Sequence, residues 1–268
     1  MSSLGKASKT REVPSPVQPG EVVAEKYRVE RTLAAGGMGV VALARHLGLD
    51  QPVALKFLIP IVQDEHTTAR FLREARASAK IQSEHVVKVF DCGVLPSGVP
   101  YMAMEYLDGL DLGRRLREGG ALSVVDATDL LLEAIVGVAA AHAAGIVHRD
   151  LKPSNLFLAN QGGNARLVKV LDFGISKMQP GPDDPVEDDL TGTAMMLGSP
   201  RYISPEQAQS SRSVDVRADV WSLGVILYEM IDGKCPFTGP HSVNILMAHV
   251  PAAPPPLRET YAGAPAGP

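Results

Sequence analysis

Cysteine is scarce in this chain: two residues in 268, Cys92 and Cys235. Their wide separation excludes a disulfide framework and a cysteine-rich metal centre, and they read as reduced, partly buried thiols of a cytoplasmic protein. An excess of charge of one sign is missing too. The 26 Lys and Arg against 30 Asp and Glu leave a net charge of −4, so bulk charge gives no reason to expect nucleic acid or a membrane surface as partner. No basic and apolar leader opens the sequence. The most hydrophobic window, 130–147, carries Glu133, His142 and a run of alanines, which suits a buried helix and not a membrane span. No internal repeat is visible.

What is there is a chain long enough for one two-lobed domain. Residues 1–26 are rich in Ser, Pro, Lys and Glu and read as a mobile tail. Tyr27 to Leu33 predicts a strand, followed by Ala34-Ala35-Gly36-Gly37-Met38-Gly39-Val40-Val41 and a second strand to about Leu47. That turn is either an ordinary glycine hairpin or a place where backbone amides approach phosphate oxygens without Cβ obstruction. Pro52 to Phe57 predicts a strand in which Lys56 either snorkels from an edge or reaches a ligand. Residues 64–82 predict a helix with Phe71, Ala75, Ser78 and Ala79 on one face and Glu74 at its margin, solvated or turned inward.

Strands are predicted over 85–94 and 99–106, around Pro96-Ser97-Gly98. Asp111 then suits the N-cap of a short helix, 112–118, closed by Gly119. Ser123 and Asp126 form a capping-box pattern for a helix running to Ala144, with Gly145 as its stop. After it come His148-Arg149-Asp150-Leu151-Lys152-Pro153-Ser154-Asn155, a β-rich run 167–171, and Asp172-Phe173-Gly174. These short loops carry two acids and an amide: an Asp able to accept a hydroxyl proton, and oxygen donors able to hold hard cations. That is equipment for metal-assisted phosphoryl transfer. Zinc at His148 is disfavoured, because no partner ligand stands at suitable spacing. Residues 175–196, with four Gly and Pro positions followed by Glu187, Asp188 and Asp189, read as a long mobile loop. Asp219 opens a helix reaching Ile231, apolar nearly all round, with Gly233 as its stop. A short helix is expected near 243–249.

The stretch His148–Asn155 resembles the catalytic loop of eukaryotic-type protein kinases. From about Tyr27 to about Pro256 the wording resembles the Ser/Thr kinases of that superfamily found in bacteria. Gly36, Gly39 and Val41 match the family's glycine-rich loop, Ala34 standing where its first glycine falls. Ser199 replaces the usual Thr near the end of the activation segment, and Ser204 the Ala of Ala-Pro-Glu. The resemblance implies an α+β, two-lobed fold: a small antiparallel N-lobe with one helix over 27–105, a mainly helical C-lobe over 106–261, and a flexible end at 262–268. It implies ATP and Mg²⁺ as cofactors and transfer of the γ-phosphoryl group to Ser or Thr hydroxyls of proteins, Lys152 being the mark of that class.

By the same resemblance Asp150 is the base, Lys152 stabilises the transferring group, and Lys56 is held on the nucleotide by Glu74. Asn155 and Asp172 bind Mg²⁺. Leu33, Gly36, Gly39, Val41, Ala54, Lys56, Met104, Glu105, Leu107, Asp111 and Leu158 line the nucleotide, with Met104 as gatekeeper and Asp111 at the ribose. Asp219 is either a helix-start acid or, as in the family, a brace for the catalytic loop. The loop 175–196 becomes an activation segment with Thr191 and Thr193 as phosphorylation candidates, their phosphate pairing with Arg149, and a homodimer is implied for phosphorylation in trans. The family normally continues for further helices, one carrying an Arg for Glu206. Its lack predicts an exposed side of the Trp221 helix, a buried carboxylate left alone at a cost of roughly 3–5 kcal/mol, and, as the alternative function, a truncated or inactive ATP-binding scaffold.

Overall fold

The computed structural model describes residues 15–36, 39–58, 65–163, 165–173, 200–209, 214–239, 244–245 and 254–257. The first body is a six-stranded antiparallel sheet built from β1 (Val22–Val23), β2 (Tyr27–Gly36), β3 (Gly39–His46), β4 (Gln51–Leu58), β5 (Val89–Val94) and β6 (Pro100–Glu105), in the order β1-β2-β3-β4-β6-β5. Side chains alternate across its faces. Ala42, Ala44, Val53, Leu55, Phe57 and Ala103 pack on one side with Tyr27 and Tyr101. The opposite face is set by the register: Val41 pairs with Lys56 and Leu43 with Ala54, while Lys56 pairs with Met102 and Ala54 with Met104. Val41, Ala54, Lys56 and Met104 therefore share the second face.

Residues 15–26, expected in a mobile tail, are instead part of this body. β1 pairs with Tyr27 and Arg28, Val17 and Val23 are each 2 % exposed, and Lys26 Nζ lies 2.9 Å from Asp91. A few valines suffice here because the edge of β2 and the Tyr27–Tyr101 pair offer them a surface that composition does not reveal. Residues 1–14, the rest of that tail, lie outside the described residues.

Helix α1 (Glu65–Ser78) packs Phe71 and Ala75 on Met102. It stops four residues short of the expected end, because Lys80 N and Ile81 N turn back to the carbonyls of Ala77 and Ser78. This tight turn sends Ile81 into the second core, and Ala79, expected on the helix face, is exposed. The expected strand 85–94 likewise divides. Residues 85–87 leave the sheet and bond to Val170, with Val87 N at 3.0 Å from its carbonyl and its N–H at 2.8 Å from the carbonyl of His85.

The second body contains a three-stranded sheet, β7 (Gly109–Asp111), β8 (Leu156–Asn160) and β9 (Arg166–Val170), in that order. Around it stand α2 (Leu112–Gly119), α3 (Val124–Ala143), α4 (Pro205–Gln209) and α5 (Arg217–Asp232). Helix α2 is closed by Gly120, at φ 68°, one residue beyond the expected stop. Ser123 caps α3, accepting the amide of Asp126 at 3.1 Å. The Asp126 carboxylate accepts the Ser123 hydroxyl at 2.7 Å, so the expected box closes between side chains. Small residues let α3 approach closely: a Cβ at Gly137 would lie 2.5 Å from the His85 carbonyl oxygen and 2.9 Å from Val170.

Helix α5 begins two residues before Asp219 and ends at Gly233, which adopts φ 79°. It is not enclosed all round. Val220 is 63 % exposed, and a groove of about 850 Å³ runs past Trp221, Tyr228 and Phe237. Of the short helix expected near 243–249, only Asn244 and Ile245 lie among the described residues. Cys92 is half-buried and Cys235 buried, and burial pushes the Cys235 thiol up to about 11. Among the described residues no helix is long and apolar enough to cross a membrane.

Candidate active site

The loop leaving α3 is held from below by one acid. Asp219, fully buried at the start of α5, accepts the backbone N–H of His148 and of Arg149, each at 2.8 Å. It also accepts His142 Nε2 at 2.7 Å. Of the two readings of Asp219, the structure thus favours the brace. With those bonds in place Arg149 takes φ +64°, a region rare for a bulky residue.

Above it the acidic and amide side chains converge. Asp150 Oδ2 lies 2.9 Å from Lys152 Nζ, and Asn155 Nδ2 donates to the Asp150 carbonyl at 2.8 Å. That bond orients the Asn155 side chain and leaves its oxygen for another partner. From β9 the chain runs into Asp172, at φ +50°, whose Oδ1 is 2.6 Å from Lys56 Nζ. Sheet and second body therefore meet at an ion pair 116 residues apart in sequence. Burial works against the charge of Lys56, but the carboxylates of Asp172 and Glu74 outweigh it and hold the ammonium above its usual range. Burial likewise opposes ionisation of Asp172, and Lys56 reverses this, holding the carboxyl below its usual range. Glu74 is on the buried face of α1, 7 % exposed, so it is turned inward, and the direct hydrogen bond described for Lys56 goes to Asp172.

His148 is a structural member of the site. It is fully buried, its ring 4.8 Å from that of Phe173, with Nε2 2.9 Å from the Leu171 carbonyl and Nδ1 receiving Asp150 N at 3.3 Å. A neutral ring with its proton on Nε2 satisfies both bonds, and burial lowers its pKa from 6.5. Unfolding then takes up a proton, so this contribution to stability is complete above about pH 6.5 and is lost as pH falls towards the lower folded value. The slope is at most about 1.4 kcal/mol per pH unit. Urea denaturation between pH 7.5 and 5.5 should show a steeper loss for the parent than for His148→Tyr, and equal slopes would contradict this.

The remaining candidates fall around this centre. Gly39 has no room for a Cβ, which would strike the Phe57 carbonyl oxygen. Ala34, in the place of a glycine, sits in the β2–β3 ladder opposite Val41 and is not among the residues of positive φ, so alanine is tolerated there. Gly36 pairs with Gly39 at the end of the hairpin, and Leu33 is 37 % exposed. Leu158 is 1 % exposed on β8. At the end of β6, the Glu105 carboxylate accepts Lys88 N at 2.8 Å and Lys169 Nζ at 2.7 Å, fixing the start of the connection through Leu107. Asp111 caps α2, accepting Arg114 N at 2.8 Å. Thr191, Thr193 and Ser199 lie outside the described residues.

Sequence reasoning missed His142, Gln207 and Lys169. In the sequence His142 is only a polar interruption of an apolar helix, and its meeting with Asp219, 77 residues on, has no local signal. Gln207 joins Ser204 N, at 3.0 Å, to the carbonyl of Arg149, at 2.9 Å. Glu206 also differs from expectation. It is half-exposed on the groove beside α5, close enough to Arg217 for its charge to act on that residue, so the penalty of a buried lone carboxylate does not apply.

Residues 27–254 match the family model described as protein kinase domain. The chain is 39 % identical over 238 residues to serine/threonine-protein kinase pkn3 of Myxococcus xanthus, covering 88 % of this chain and 43 % of that protein. It is 37 % identical over 245 residues to serine/threonine-protein kinase PknB of Mycobacterium tuberculosis, covering 90 % of this chain and 38 % of the other. The chain thus spans less than half the length of these relatives. Among solved structures, the PknI kinase domain of Mycobacterium tuberculosis superimposes with a TM-score of 0.69 at 27 % identity, over 91 % of this chain and 84 % of that one. With the ion pair, the braced loop and these likenesses in one molecule, the chain belongs to the protein kinase family, on the two-lobed α+β fold of that family.

Proposed function

We propose that the chain is a protein serine/threonine kinase that transfers the γ-phosphoryl group of ATP to Ser or Thr hydroxyls of protein substrates. The observation that supports this reading is that the Lys56–Asp172 pair and the Asp150–Lys152–Asn155 group, drawn from two bodies, are near enough for the charge of Asp150 to act on Lys56 and that of Lys152 on Asp172. In this reading Asp150 orients the substrate hydroxyl and accepts its proton. Lys152, paired with it, places positive charge beside the transferring group. Lys56 binds phosphate oxygens, with Glu74 and Asp172 keeping it charged. Positioning and electrostatics do most of the work in phosphoryl transfer.

The residues present fit Mg²⁺: an Asn oxygen left available by its amide's own bond, and an ionised Asp, are hard oxygen donors. Among the described residues no group of three His, Cys, Asp or Glu is built to hold a metal without help, which suits a cation shared with phosphates. Bound there, Mg²⁺ would neutralise phosphate charge. The shared face of Val41, Ala54 and Met104, with Leu158, would supply apolar walls for the base. Glu105 and Leu107 would offer it backbone bonds, and Leu33, Gly36 and Gly39 would close over the phosphates. Asp111 would serve the ribose as well as its helix.

Regulation by phosphorylation of Thr191 or Thr193 is part of the proposal. Arg149 Nε and Nη1 are buried and have no hydrogen-bond partner among the described residues, and a phosphate supplies the acceptors they would take. The test is incubation with Mg²⁺ and ATP followed by phosphosite mapping, with Asp150→Asn as control. Phosphate on Thr191 or Thr193 only in the parent supports the reading. Label on an Asp150→Asn copy mixed with the parent would establish transfer between two copies. No phosphate on any Ser or Thr, in the chain or in an added peptide pool, would overturn it.

A further inference from the structure

Asp150 reaches its position through the peptide groups on either side of it. The N–H of Arg149 is taken by Asp219 at 2.8 Å, the N–H of Asp150 by His148 at 3.3 Å, and the carbonyl of Asp150 by Asn155 at 2.8 Å. The carbonyl of Arg149, in the peptide that enters Asp150, is held by Gln207 Nε2 at 2.9 Å. The orientation of this amide is fixed, because its oxygen accepts the N–H of Ser204 at 3.0 Å and only the nitrogen is left to face Arg149. Gln207 is 7 % exposed and Ser204 fully buried, so water is a poor substitute for either bond. Arg149 meanwhile sits at φ +64°, and such a conformation persists only where its surroundings over-determine it.

Gln207 belongs to α4, which directly follows the stretch seated on α5. There Ser222 Oγ donates to the Tyr202 carbonyl at 2.7 Å and Tyr202 OH to Glu229 at 2.6 Å. We infer that Gln207 is a positioning residue for Asp150, its amide joining Ser204 to the Arg149 carbonyl, so that seating the 200–207 segment and aiming the catalytic carboxylate are one event. The inference rests on the kinase reading above and adds to it the route by which the end of the activation segment controls the proton acceptor. The hydrogen bonds of Gln207 go to Ser204 and Arg149 and not to Lys56 or Asp172, so nucleotide affinity is not its concern.

The test is steady-state phosphorylation of a Ser/Thr peptide pool by the parent and by Gln207→Met, which keeps length and bulk but has no donor. Rates are normalised to ADP·Mg²⁺ binding stoichiometry. The expected result is a kcat about tenfold lower, with KM for ATP and Kd for ADP·Mg²⁺ within about twofold of the parent, a loss confined to the reacting step. A purely structural role would lower the bindable fraction and leave normalised kcat alone. Should Gln207→Met bind no nucleotide, Gln207→Glu, which sets an acceptor against the Arg149 carbonyl, decides the question on the same criteria. A normalised kcat equal to the parent's, or a KM that moves with kcat, overturns the inference while leaving the kinase reading intact. A parent chain that phosphorylates nothing removes both.

Discussion

Replacing Asp150 by Asn is expected to lower kcat about a thousandfold while leaving ADP·Mg²⁺ affinity within about twofold, the span of positioned acid–base groups being roughly 10² to 10⁴. The substitution is nearly isosteric. An Asn oxygen can still accept Lys152 Nζ, now 2.9 Å away, and the backbone bonds of the loop to Asp219 and Asn155 do not involve the side chain. What is lost is the negative charge and the capacity to take a proton. Initial rates with a peptide pool, beside calorimetric binding of ADP·Mg²⁺, separate the two. A loss under tenfold would show that the proton goes elsewhere.

Asp219→Ala should produce the largest loss of stability of any single change at the site. Three donors converge on this fully buried carboxylate: His148 N, Arg149 N and His142 Nε2. Truncation leaves two backbone N–H groups without acceptor in the interior, each costing about 1–3 kcal/mol. The total is roughly 2–6 kcal/mol, a large share of the 5–15 kcal/mol typical of a domain. Asp219→Asn, which keeps one acceptor oxygen, should lose less than half as much. Urea denaturation at pH 7.5 measures both, and an Asp219→Ala change below about 1 kcal/mol would contradict the bracing role.

Both effects were half-visible in the sequence. Asp150 stands in a pattern whose chemistry is local, and its position between Arg149 and Lys152 could be read directly. Asp219 could be read only as a helix-start acid or, through family resemblance, as a brace, since its three donors come from distant segments. The same division runs through the fold. Ser123 before an apolar run and Gly233 after one announced the ends of α3 and α5, because caps act over a few residues. The Lys56 strand was legible from the apolar residues on either side of the lysine, and the inward turn of Glu74 was open until the face carrying Phe71 and Ala75 was seen to pack on Met102.

What escaped was tertiary. Val17 and Val23 looked like isolated apolar residues in a polar tail until a sheet edge gave them a surface. The expected strand 85–94 broke at residue 88 because residues 85–87 found a better partner in Val170. Gln207 carried no signal, because a glutamine after Ser-Pro-Glu is unremarkable until its amide is seen spanning two loops.

Lys56 from the sheet and Asp172 from the second body are expected to serve one nucleotide. Calorimetric titration of ATP·Mg²⁺ into the parent, Lys56→Met and Asp172→Asn measures this. One site in the parent, with each substitution weakening ATP·Mg²⁺ at least about tenfold but leaving adenosine affinity unchanged, is the predicted result. ATP·Mg²⁺ binding equally tight in all three proteins would contradict it.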